Sequence, residues 1–322
     1  MPMKVQQPHI PVDILLSTYN GSLYLVELIA SLIGQTYSNW RLLIRDDGST
    51  DNTVEIIQQY VSRFPNQVIL LERGEANIGP CQSYARLMEF AAGDYLMFCD
   101  QDDVWLPNKI EMLLESMLQL EDSKPGRPLL VHSDLFVVDQ ALRPISPSFW
   151  QYQGLEPTRN HLKDLLVQNI ATGCAMMINR RLLERALPIP KEAIMHDWWL
   201  TLVASIYTEV FHIDQATVLY RQHGHNTVGA IKHSIPTLVL RLGSAGESIE
   251  RIIRQGEQLH RLHEAELNGE QQAILVRFIN LLRENRLARI RTVRKIPLQK
   301  HGWLRQIGFY IVISSMKRRR GE

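Results

Sequence analysis

The sequence predicts an α/β fold in which helices flank a mainly parallel sheet, followed by a helical C-terminal appendage. Apolar runs typical of buried strands alternate with helix-like periodic segments over the first hundred residues. This rhythm is typical of parallel strands joined by helices on both faces of a sheet. From about Pro236 onward the pattern is helical throughout. A chain of 322 residues is long enough for one large domain with an appendage.

The first half of the chain supplies four predicted strands with helices between them. In chain order the elements are strand 12–17, helix 23–33, strand 41–45, helix 53–64, strand 68–71, helix 80–92 and strand 95–99. Residues 50–53 suit the start of the second helix, and Gly93 ends the third. Each strand is short and apolar, as expected for strands buried on both faces.

The second half is less regular. We predict a strand at 129–138, a loop at 143–160, an apolar strand at 170–178, a helix from Met195 and a short strand at 218–220. Gly173 lies within the apolar strand, where a glycine permits another segment to approach the backbone closely. We therefore divide the chain into an α/β domain, 1–232, and a helical, basic region, 233–322.

Bulk composition excludes several classes of protein. Hydrophobic residues make up 45% and charged residues 21%, which is ordinary for a globular protein, and the net charge of +1 does not favour nucleic-acid binding. Three widely spaced cysteines support neither a disulfide framework nor a zinc site, which fits a reducing compartment. Neither a signal peptide nor a membrane-spanning run is expected. These features predict a cytoplasmic location.

Three carboxylates follow the fourth predicted strand at Asp100, Asp102 and Asp103. Like charges repel, and carboxylates that lose water are penalised, so a cation is expected among them. A divalent metal carrying a diphosphate is the natural candidate. The alternative is a solvated acidic turn at the start of the next helix, where acids are favoured.

Several separated motifs occur in a fixed order, and together they resemble family 2 glycosyltransferases of the GT-A fold, which is Rossmann-like. The matching segments are 17–20 (STYN), 46–51 (DDGSTD), 77–79 (NIG) and 100–105 (DQDDVW). The resemblance covers residues 12–226, about two thirds of the chain. The DQDDVW form, together with 196–199 (HDWW) and 220–224 (YRQHG), most resembles bacterial rhamnosyltransferases.

The resemblance implies a nucleotide-binding set at the ends of the strands. Asp47 would accept a hydrogen bond from the N3–H of a pyrimidine base, with Asp46 supporting the turn. A carboxylate suits this task because it only accepts. The remaining members of the set are Ser17, Tyr19, Asn20, Asn77 and Asp102. Of these, Asp102 would face the ribose. The alternative is that Asp46 and Asp47 only form a strand-to-helix turn.

The resemblance also implies a metal site that holds Mg²⁺ or Mn²⁺. Asp103 would coordinate the ion, and His223 would complete the metal or diphosphate site. Arg221 could pair with a phosphate. The nearby Asn226 could contribute to the same polar loop. The residues leave open whether Asp100 contacts the ion or supports a ligand, and whether His223 is only structural.

A general base is expected at the start of the helix near residue 196. By resemblance Asp197 is that base, although His196 stands where the family usually has a glutamate, which leaves the role of His196 open. Trp198 and Trp199 could form a wall for an acceptor sugar. The alternative for Trp199 is ordinary core packing.

The C-terminal region combines apolar residues of 303–311 with many basic ones. It could form an interfacial helix beside an anionic membrane, or a helix packed on the catalytic domain with a solvated basic end.

These implications predict an inverting, metal-dependent glycosyltransferase that builds a bacterial surface glycan such as O-antigen or capsule. Rhamnose from dTDP-rhamnose is one donor, and a UDP-hexose is the alternative. A nucleotidyltransferase is disfavoured because residues 17–21 lack a basic, glycine-rich phosphate loop. A non-catalytic carbohydrate-binding protein would not need Asp47, Asp102, Asp103 and Asp197 together.

Overall fold

The computed structural model describes residues 10–224, 235–296 and 298–318, with the side chains of 235–245 excepted. The strands are β1 (Val12–Thr18), β2 (Trp40–Asp46), β3 (Val68–Arg73), β4 (Tyr95–Cys99), β5 (Val104–Trp105), β6 (Leu130–Val138), β7 (Pro144–Ser146), β8 (Met176–Asn179) and β9 (Phe211–Arg221). The predicted boundary at 232/233, Asn226 and the last basic residues of the tail lie outside the described residues.

Helices occupy most of the remaining chain. They are α1 (Leu25–Ile33), α2 (Thr53–Arg63), α3 (Pro80–Phe90), α4 (Lys109–Ser123), α5 (Phe149–Gln153), α6 (Leu162–Leu165), α7 (Arg180–Ala186), α8 (His196–Tyr207), α9 (Ile235–His263), α10 (Gly269–Ile279), α11 (Arg286–Lys295) and α12 (Trp303–Ser315). Short 3₁₀ turns cover Gly173–Ala175, Glu264–Glu266 and Leu281–Arg283.

The strands form one mixed sheet in the order β3-β2-β1-β4-β8-β6-β9-β5, with β7 beside β6. β3, β2, β1 and β4 are mutually parallel, whereas β8 runs antiparallel to both β4 and β6, and β5 runs antiparallel to β9. The predicted α/β class and the parallel first half are therefore confirmed. The sheet order makes β1 and β4 central neighbours, which positions the ends of these strands beside each other.

Both faces of the sheet are covered, as predicted. Leu15 of β1 and Phe98 of β4 pack into a core with α3 and α8, whereas Leu16 and Met97 pack on the opposite face with α1 and α4. This alternation follows from the two-residue repeat of a strand. Apolar residues of α9 to α12, such as Phe278, join the core on the α8 side. The C-terminal helices therefore share one hydrophobic core with the sheet.

The second half departs from its sequence prediction in three places. The predicted strand at 170–178 exists only as β8, because a 3₁₀ turn occupies Gly173–Ala175. The predicted loop at 143–160 contains β7 and α5. The strand predicted at 218–220 is the end of β9. The earlier residues of β9 mix apolar side chains such as Phe211 and Ile213 with polar ones and are mostly half-exposed, so they give no continuous apolar run.

Two further sequence predictions concern cysteines and membrane spans. All three cysteines are free thiols. Among the described helices, none combines the length and apolar character needed to cross a bilayer.

Candidate active site

Polar segments follow β1, β2 and β4 at one edge of the sheet. Thr18 pairs with Asp46, and Leu16 with Cys99, in the parallel register of these strands. Ligands of parallel sheets bind beyond the carboxyl ends of the strands. The segments that begin at Thr18, Asp46 and Asp100 are therefore brought together, as the sequence predicts.

Asp46 organises the turn after β2. Its carboxylate accepts hydrogen bonds from the hydroxyls of Thr18 (2.9 Å) and Ser49 (2.5 Å) and from the backbone N–H groups of Gly48 and Ser49. Gly48 has a φ of 87°, a left-handed conformation that favours glycine. A fully buried Asp46 thus supports the turn.

Asp47 is also buried, and its carboxylate holds a second loop. It pairs with Arg45 (2.5 Å) and accepts from the backbone N–H groups of Ile78 (3.1 Å) and Gly79 (3.0 Å). These bonds fix the segment that contains Asn77 against the end of β2. The N–H of a nucleotide's pyrimidine would have to share a carboxylate oxygen of Asp47 that already accepts hydrogen bonds. Recognition of the pyrimidine by Asp47 therefore stays a prediction.

The loop after β1 is tied to the acidic segment. The backbone N–H of Tyr19 donates to Oε1 of Gln101 (2.9 Å), and Nε2 of Gln101 donates back to the carbonyl of Tyr19 (3.0 Å). The side chain of Tyr19 is exposed, with its ring open to solvent. Tyr19 therefore lies at the entrance to the acidic segment, where a nucleotide could reach it.

The other members of the predicted nucleotide set make local bonds that shape the loops. The hydroxyl of Ser17 donates to that of Ser83 (2.6 Å). Asn20 has a φ of 48°, and its side-chain oxygen accepts from the N–H of Thr50 (2.9 Å). The side-chain oxygen of Asn77 accepts from the backbone two residues on. These contacts hold the loops around the predicted base site.

The three acids after β4 lie close enough to perturb one another. Burial, together with the charges of Asp102 and Asp197, raises the pKa of Asp100 to about 7. Burial and the charges of Asp102 and Asp100 raise the pKa of Asp103 well above its usual range. A cation would relieve this repulsion, because it favours the ionised form of a neighbouring carboxyl. The arrangement is the costly one that the sequence predicts.

Asp102 pairs with His223. The Oδ2 atom of Asp102 lies 2.7 Å from Nε2 of His223, and the ring of His223 packs on Tyr24. Both side chains keep a little exposure, 15% and 9%, whereas Asp103 has none. The pair that the structure brings together is thus Asp102 with His223, and Asp103 lies beneath it.

Arg221 anchors the acidic segment from below. Its backbone N–H donates to Oδ1 of Asp103 (3.1 Å), and its guanidinium donates to the carbonyls of Asp102 and Gln140 and pairs with Glu27. The guanidinium also lies over the ring of Tyr24, in a cation–π contact. This buried side chain supports the loop and is already engaged by protein groups, so the predicted phosphate contact stays a prediction.

The donor set fits a divalent cation. Ligand atoms of Asp100, Asp103 and Cys174 lie within 4.8 Å of one another, and Oδ2 of Asp103 is buried and has no hydrogen-bond partner among the described residues. Carboxylate oxygens are the preferred ligands of Mg²⁺ and Mn²⁺. Burial raises the pKa of the Cys174 thiol well above its usual range, which disfavours the thiolate. The carboxylates, with His223 nearby, are therefore the fitting ligands.

Asp197 lies at the first turn of α8, across from the acidic segment. Its Oδ1 accepts from the backbone N–H of Trp198 (2.6 Å) and its Oδ2 from that of Gly173 (3.1 Å). Burial raises the pKa of Asp197 to about 6, while these two N–H groups lower it. The charge of Asp197 contributes to the raised pKa of Asp100. The expected base and the expected metal acids thus share one site.

Comparison with known proteins identifies the family. The family model described as "Glycosyl transferase family 2" matches residues 13–186, just over half of the chain. This chain belongs to glycosyl transferase family 2. The match ends before α8, so it includes the three strand ends but not Asp197.

Curated glycosyltransferases match parts of the chain. The UDP-Glc:alpha-D-GlcNAc-diphosphoundecaprenol beta-1,3-glucosyltransferase WfgD of Escherichia coli is 35% identical over 108 residues, which is 34% of this chain and 41% of that relative. The dTDP-rhamnosyl transferase RfbG of Shigella flexneri is 27% identical over 229 residues, 67% of this chain and 74% of that relative. The chain thus spans about two fifths of the first relative.

Solved structures share the GT-A fold of the family. TarS 1–349 of S. aureus, in complex with UDP-GlcNAc, aligns with a TM-score of 0.56 at 17% identity and covers 89% of this chain and 73% of that one. The mannosyltransferase PcManGT of Pyrobaculum calidifontis, in complex with GDP-Man and Mn²⁺, aligns with a TM-score of 0.54 at 15% identity and covers 94% and 85%. These alignments confirm the predicted GT-A architecture.

His196, next to the candidate base of this family member, is buried in the core. Its ring stacks on Tyr84 with centroids 3.9 Å apart, and neither ring nitrogen has a hydrogen-bond partner among the described residues. Burial lowers the pKa of His196 to about 3, so the ring is neutral. Tyr84 in turn donates to Asp100 (3.2 Å). His196 therefore packs behind the acids.

The two tryptophans of α8 differ in placement. Trp199 is 0% exposed, and its indole N–H donates to the carbonyl of Ala186 (2.9 Å). This is the core packing that was the alternative for Trp199, and it removes Trp199 from an acceptor wall. Trp198 is half-buried and donates to the carbonyl of Leu165 (2.7 Å). Of the two tryptophans, only Trp198 has exposed surface that could contact an acceptor sugar.

Sequence reasoning misses two cations of the site. Arg45, which pairs with Asp47, lies inside an apolar strand and gives no separate signal. Lys109 is fully buried at the first position of α4. A cation at a helix start faces the unfavourable end of the helix dipole, and this is the signal that could have identified it.

Proposed function

We propose that this member of glycosyl transferase family 2 is an inverting, metal-dependent glycosyltransferase that moves a sugar from a nucleotide-sugar to a bacterial surface glycan. The observation that carries the proposal is the meeting of the acidic segment with Asp197 at the carboxyl edge of the sheet. The N–H of Gly173 donates to Asp197, and the sulfur of the next residue, Cys174, lies within 4.8 Å of carboxylate oxygens of Asp100 and Asp103. One site then contains acids that suit a metal-bound diphosphate and a separate carboxylate that suits an acceptor hydroxyl.

The proposed reaction follows from this division. Asp197 accepts the proton of the acceptor hydroxyl, whose oxygen forms a bond to the anomeric carbon as the bond from that carbon to the diphosphate breaks. Attack opposite to the leaving group inverts the anomeric configuration. The N–H groups of Gly173 and Trp198 hold the carboxylate in one orientation for this task. A bound divalent metal would neutralise the leaving diphosphate.

The test of this proposal is Asp197→Asn, an isosteric change. Release of nucleotide diphosphate should fall by about 100- to 10,000-fold, the usual range for a lost general base. Calorimetric binding of the nucleotide-sugar should stay within about twofold, because the change removes no donor contact. Release of the nucleoside diphosphate at the wild-type rate would reject Asp197 as the base.

For the metal, we propose Asp102 and His223 as the exposed ligands, beside the buried acids Asp100 and Asp103, a revision of the initial pairing of Asp103 with His223. The 2.7 Å contact between Asp102 and His223 and the complete burial of Asp103 support the revision. Asp102→Asn should weaken Mn²⁺ binding at least tenfold. Asp103→Asn, the matched control, should weaken it less. The opposite order, measured by electron paramagnetic resonance of free Mn²⁺, would restore the initial assignment.

For the donor, dTDP-rhamnose is favoured by the relative that aligns over the larger share of both chains. A UDP-hexose is the second candidate, because the more identical relative is a UDP-glucose enzyme by name. A thermal-shift panel of dTDP, UDP and GDP with Mn²⁺ discriminates them, since a ligand that binds only the folded state raises Tm. A shift with UDP but not dTDP would reject the rhamnose donor.

For the acceptor and location, we propose a lipid-linked glycan at the cytoplasmic face of the membrane, as in O-antigen, lipopolysaccharide or capsule synthesis. The surface of α12 supports contact with such a membrane. Trp303, Ile307 and Ile311 recur every fourth residue, so they share one helix face, and they are 70%, 48% and 53% exposed. Residues 285–321 contain eleven Lys or Arg and no Asp or Glu. Such a face suits an anionic bilayer.

The membrane proposal is tested by replacing Trp303, Ile307 and Ile311 together with serine. Flotation with phosphatidylglycerol vesicles should fall at least tenfold, because each buried side chain contributes about 1.5–3 kcal/mol. Phe90→Ser removes an exposed aromatic at the end of α3 and serves as the matched control. Equal flotation of the triple variant, the control and the wild type would reject this face as a membrane contact.

A further inference from the structure

Lys109 occupies an unusual position in this chain. It is 0% exposed and is the first residue of α4. Burial penalises an ammonium group, and the positive end of the helix dipole penalises it again. Two such penalties require specific partners, and the partners of Lys109 identify what it does.

The partners of Lys109 all belong to the candidate active site. Its Nζ lies 3.5 Å from the centroid of the Trp105 ring and donates to the carbonyl of Cys174. Burial lowers the pKa of Lys109 to about 8, and the charges of Asp103 and Asp100 oppose this shift and favour the protonated form. Lys109 is therefore a fixed cation beside the acids for which a divalent metal is proposed.

The carbonyl that Lys109 binds belongs to a segment that also contacts the candidate base. The N–H of Gly173, the residue before Cys174, donates to Oδ2 of Asp197 (3.1 Å). A Cβ at Gly173 would meet Nε2 of His196 at 2.9 Å, so this segment packs tightly against the start of α8. Lys109 and Asp197 thus each form a hydrogen bond with the same two-residue segment, Gly173 and Cys174.

We propose that Lys109 is a positioning residue with two effects: its charge balances Asp100 and Asp103, and its hydrogen bond to Cys174 fixes the segment that orients Asp197. This inference rests on the proposed metal-dependent transfer. The two effects act in opposite directions on two measurable quantities. Removing the charge strengthens the attraction of the acids for a metal ion, whereas removing the hydrogen bond loosens the base.

The first readout is Mn²⁺ affinity, measured by electron paramagnetic resonance on the whole chain. Lys109→Met should bind Mn²⁺ about 3- to 10-fold more tightly, because a nearby positive charge no longer opposes the ion. Lys124→Met is the matched control, since Lys124 caps the other end of α4 and also lies over an aromatic ring, that of Phe211. The control should bind Mn²⁺ as the wild type does.

The second readout is the kcat for release of the nucleoside diphosphate from the nucleotide-sugar. In Lys109→Met it should fall about 10- to 100-fold with little change in KM, because misplacement of a reacting group acts on the chemical step. Tighter metal binding together with slower turnover is the signature of the positioning role. A merely structural lysine would weaken metal binding and turnover together.

Thermal unfolding of each variant establishes that it is folded, and Lys109→Gln provides a second variant that removes the charge but keeps a donor. Lys109→Gln should also bind Mn²⁺ more tightly and should lose less turnover than Lys109→Met. Unchanged or weaker Mn²⁺ binding in both variants, or failure of both to fold, would overturn the inference. A wild-type chain that binds no Mn²⁺ would instead reject the proposed metal site.

Discussion

At the scale of single residues, the burial of Asp197 predicts how turnover depends on pH. Burial raises the pKa of Asp197 to about 6, above that of a free aspartate. A base must be deprotonated, so turnover should be near its maximum above pH 7 and fall about tenfold per unit well below pH 6. Among the described residues, titratable groups near Asp197 include Asp100, the Cys81 thiol and the neighbouring His196, which burial keeps neutral.

This pH prediction is tested with a profile of kcat at saturating Mn²⁺ and donor between pH 5 and pH 8.5. Thermal unfolding at each pH separates loss of catalysis from loss of fold. A profile that is flat down to pH 5 would contradict a base of raised pKa.

The acids of the site and His223 could be predicted from the sequence, but which acid pairs with His223 could not. Asp102 and Asp103 are neighbours in the chain, and only the folded loop separates a partly exposed Asp102 from a fully buried Asp103. His223 reaches Asp102 through a separation of 121 residues. Burial and long-range pairing of this kind depend on tertiary packing and leave no local pattern in the sequence.

At the scale of secondary-structure elements, the 3₁₀ turn before β8 controls the position of α8. Gly173→Ala would place a Cβ 2.9 Å from Nε2 of His196. The start of α8 would have to shift, and with it Asp197, at a cost of about 1–3 kcal/mol. We expect kcat to fall more than tenfold and the midpoint of denaturant unfolding to decrease.

The matched control for this substitution is Gly269→Ala, at the start of α10, where nothing lies within 4 Å of the new Cβ. It should leave both kcat and the unfolding midpoint near the wild-type values. Wild-type kcat in Gly173→Ala would show that the turn does not position the base.

The strands and helices of the first half were predictable because each carries a clean apolar period and ends at a turn residue. β4, for example, matches its predicted bounds, 95–99. The segment before β8 was not predictable, because a 3₁₀ turn of apolar residues has the same composition as a buried strand. The first half of β9 was not predicted because polar residues interrupt its apolar ones.

At the scale of the whole molecule, α12 belongs to the common core. Its inner face buries Phe309, Val312 and Ile313, and the guanidinium of Arg289 donates to the carbonyls of Ile313 and Met316. Its outer face is the one proposed to contact membrane. The two sequence interpretations of this region, a packed helix and an interfacial helix, thus concern opposite faces of one helix.

Deleting α12 should therefore destabilise the molecule. A chain that ends before Gly302 leaves part of the α9–α11 core uncovered, and the loss of three buried side chains costs about 5 kcal/mol or more. We expect Tm to fall by several degrees in a thermal scan. An unchanged Tm would contradict the packing of α12 into the core, and the triple surface variant, which spares the inner face, should keep the wild-type Tm.

The central claim is that the acidic segment after β4 and Asp197 form one nucleotide-sugar site. The most direct measurement is the release of free nucleotide diphosphate from a panel of dTDP-, UDP- and GDP-sugars, with and without Mn²⁺. We predict release from at least one donor, dependent on the divalent ion and lost in Asp102→Asn. No release from any donor, and no binding of any donor by calorimetry, would contradict the claim.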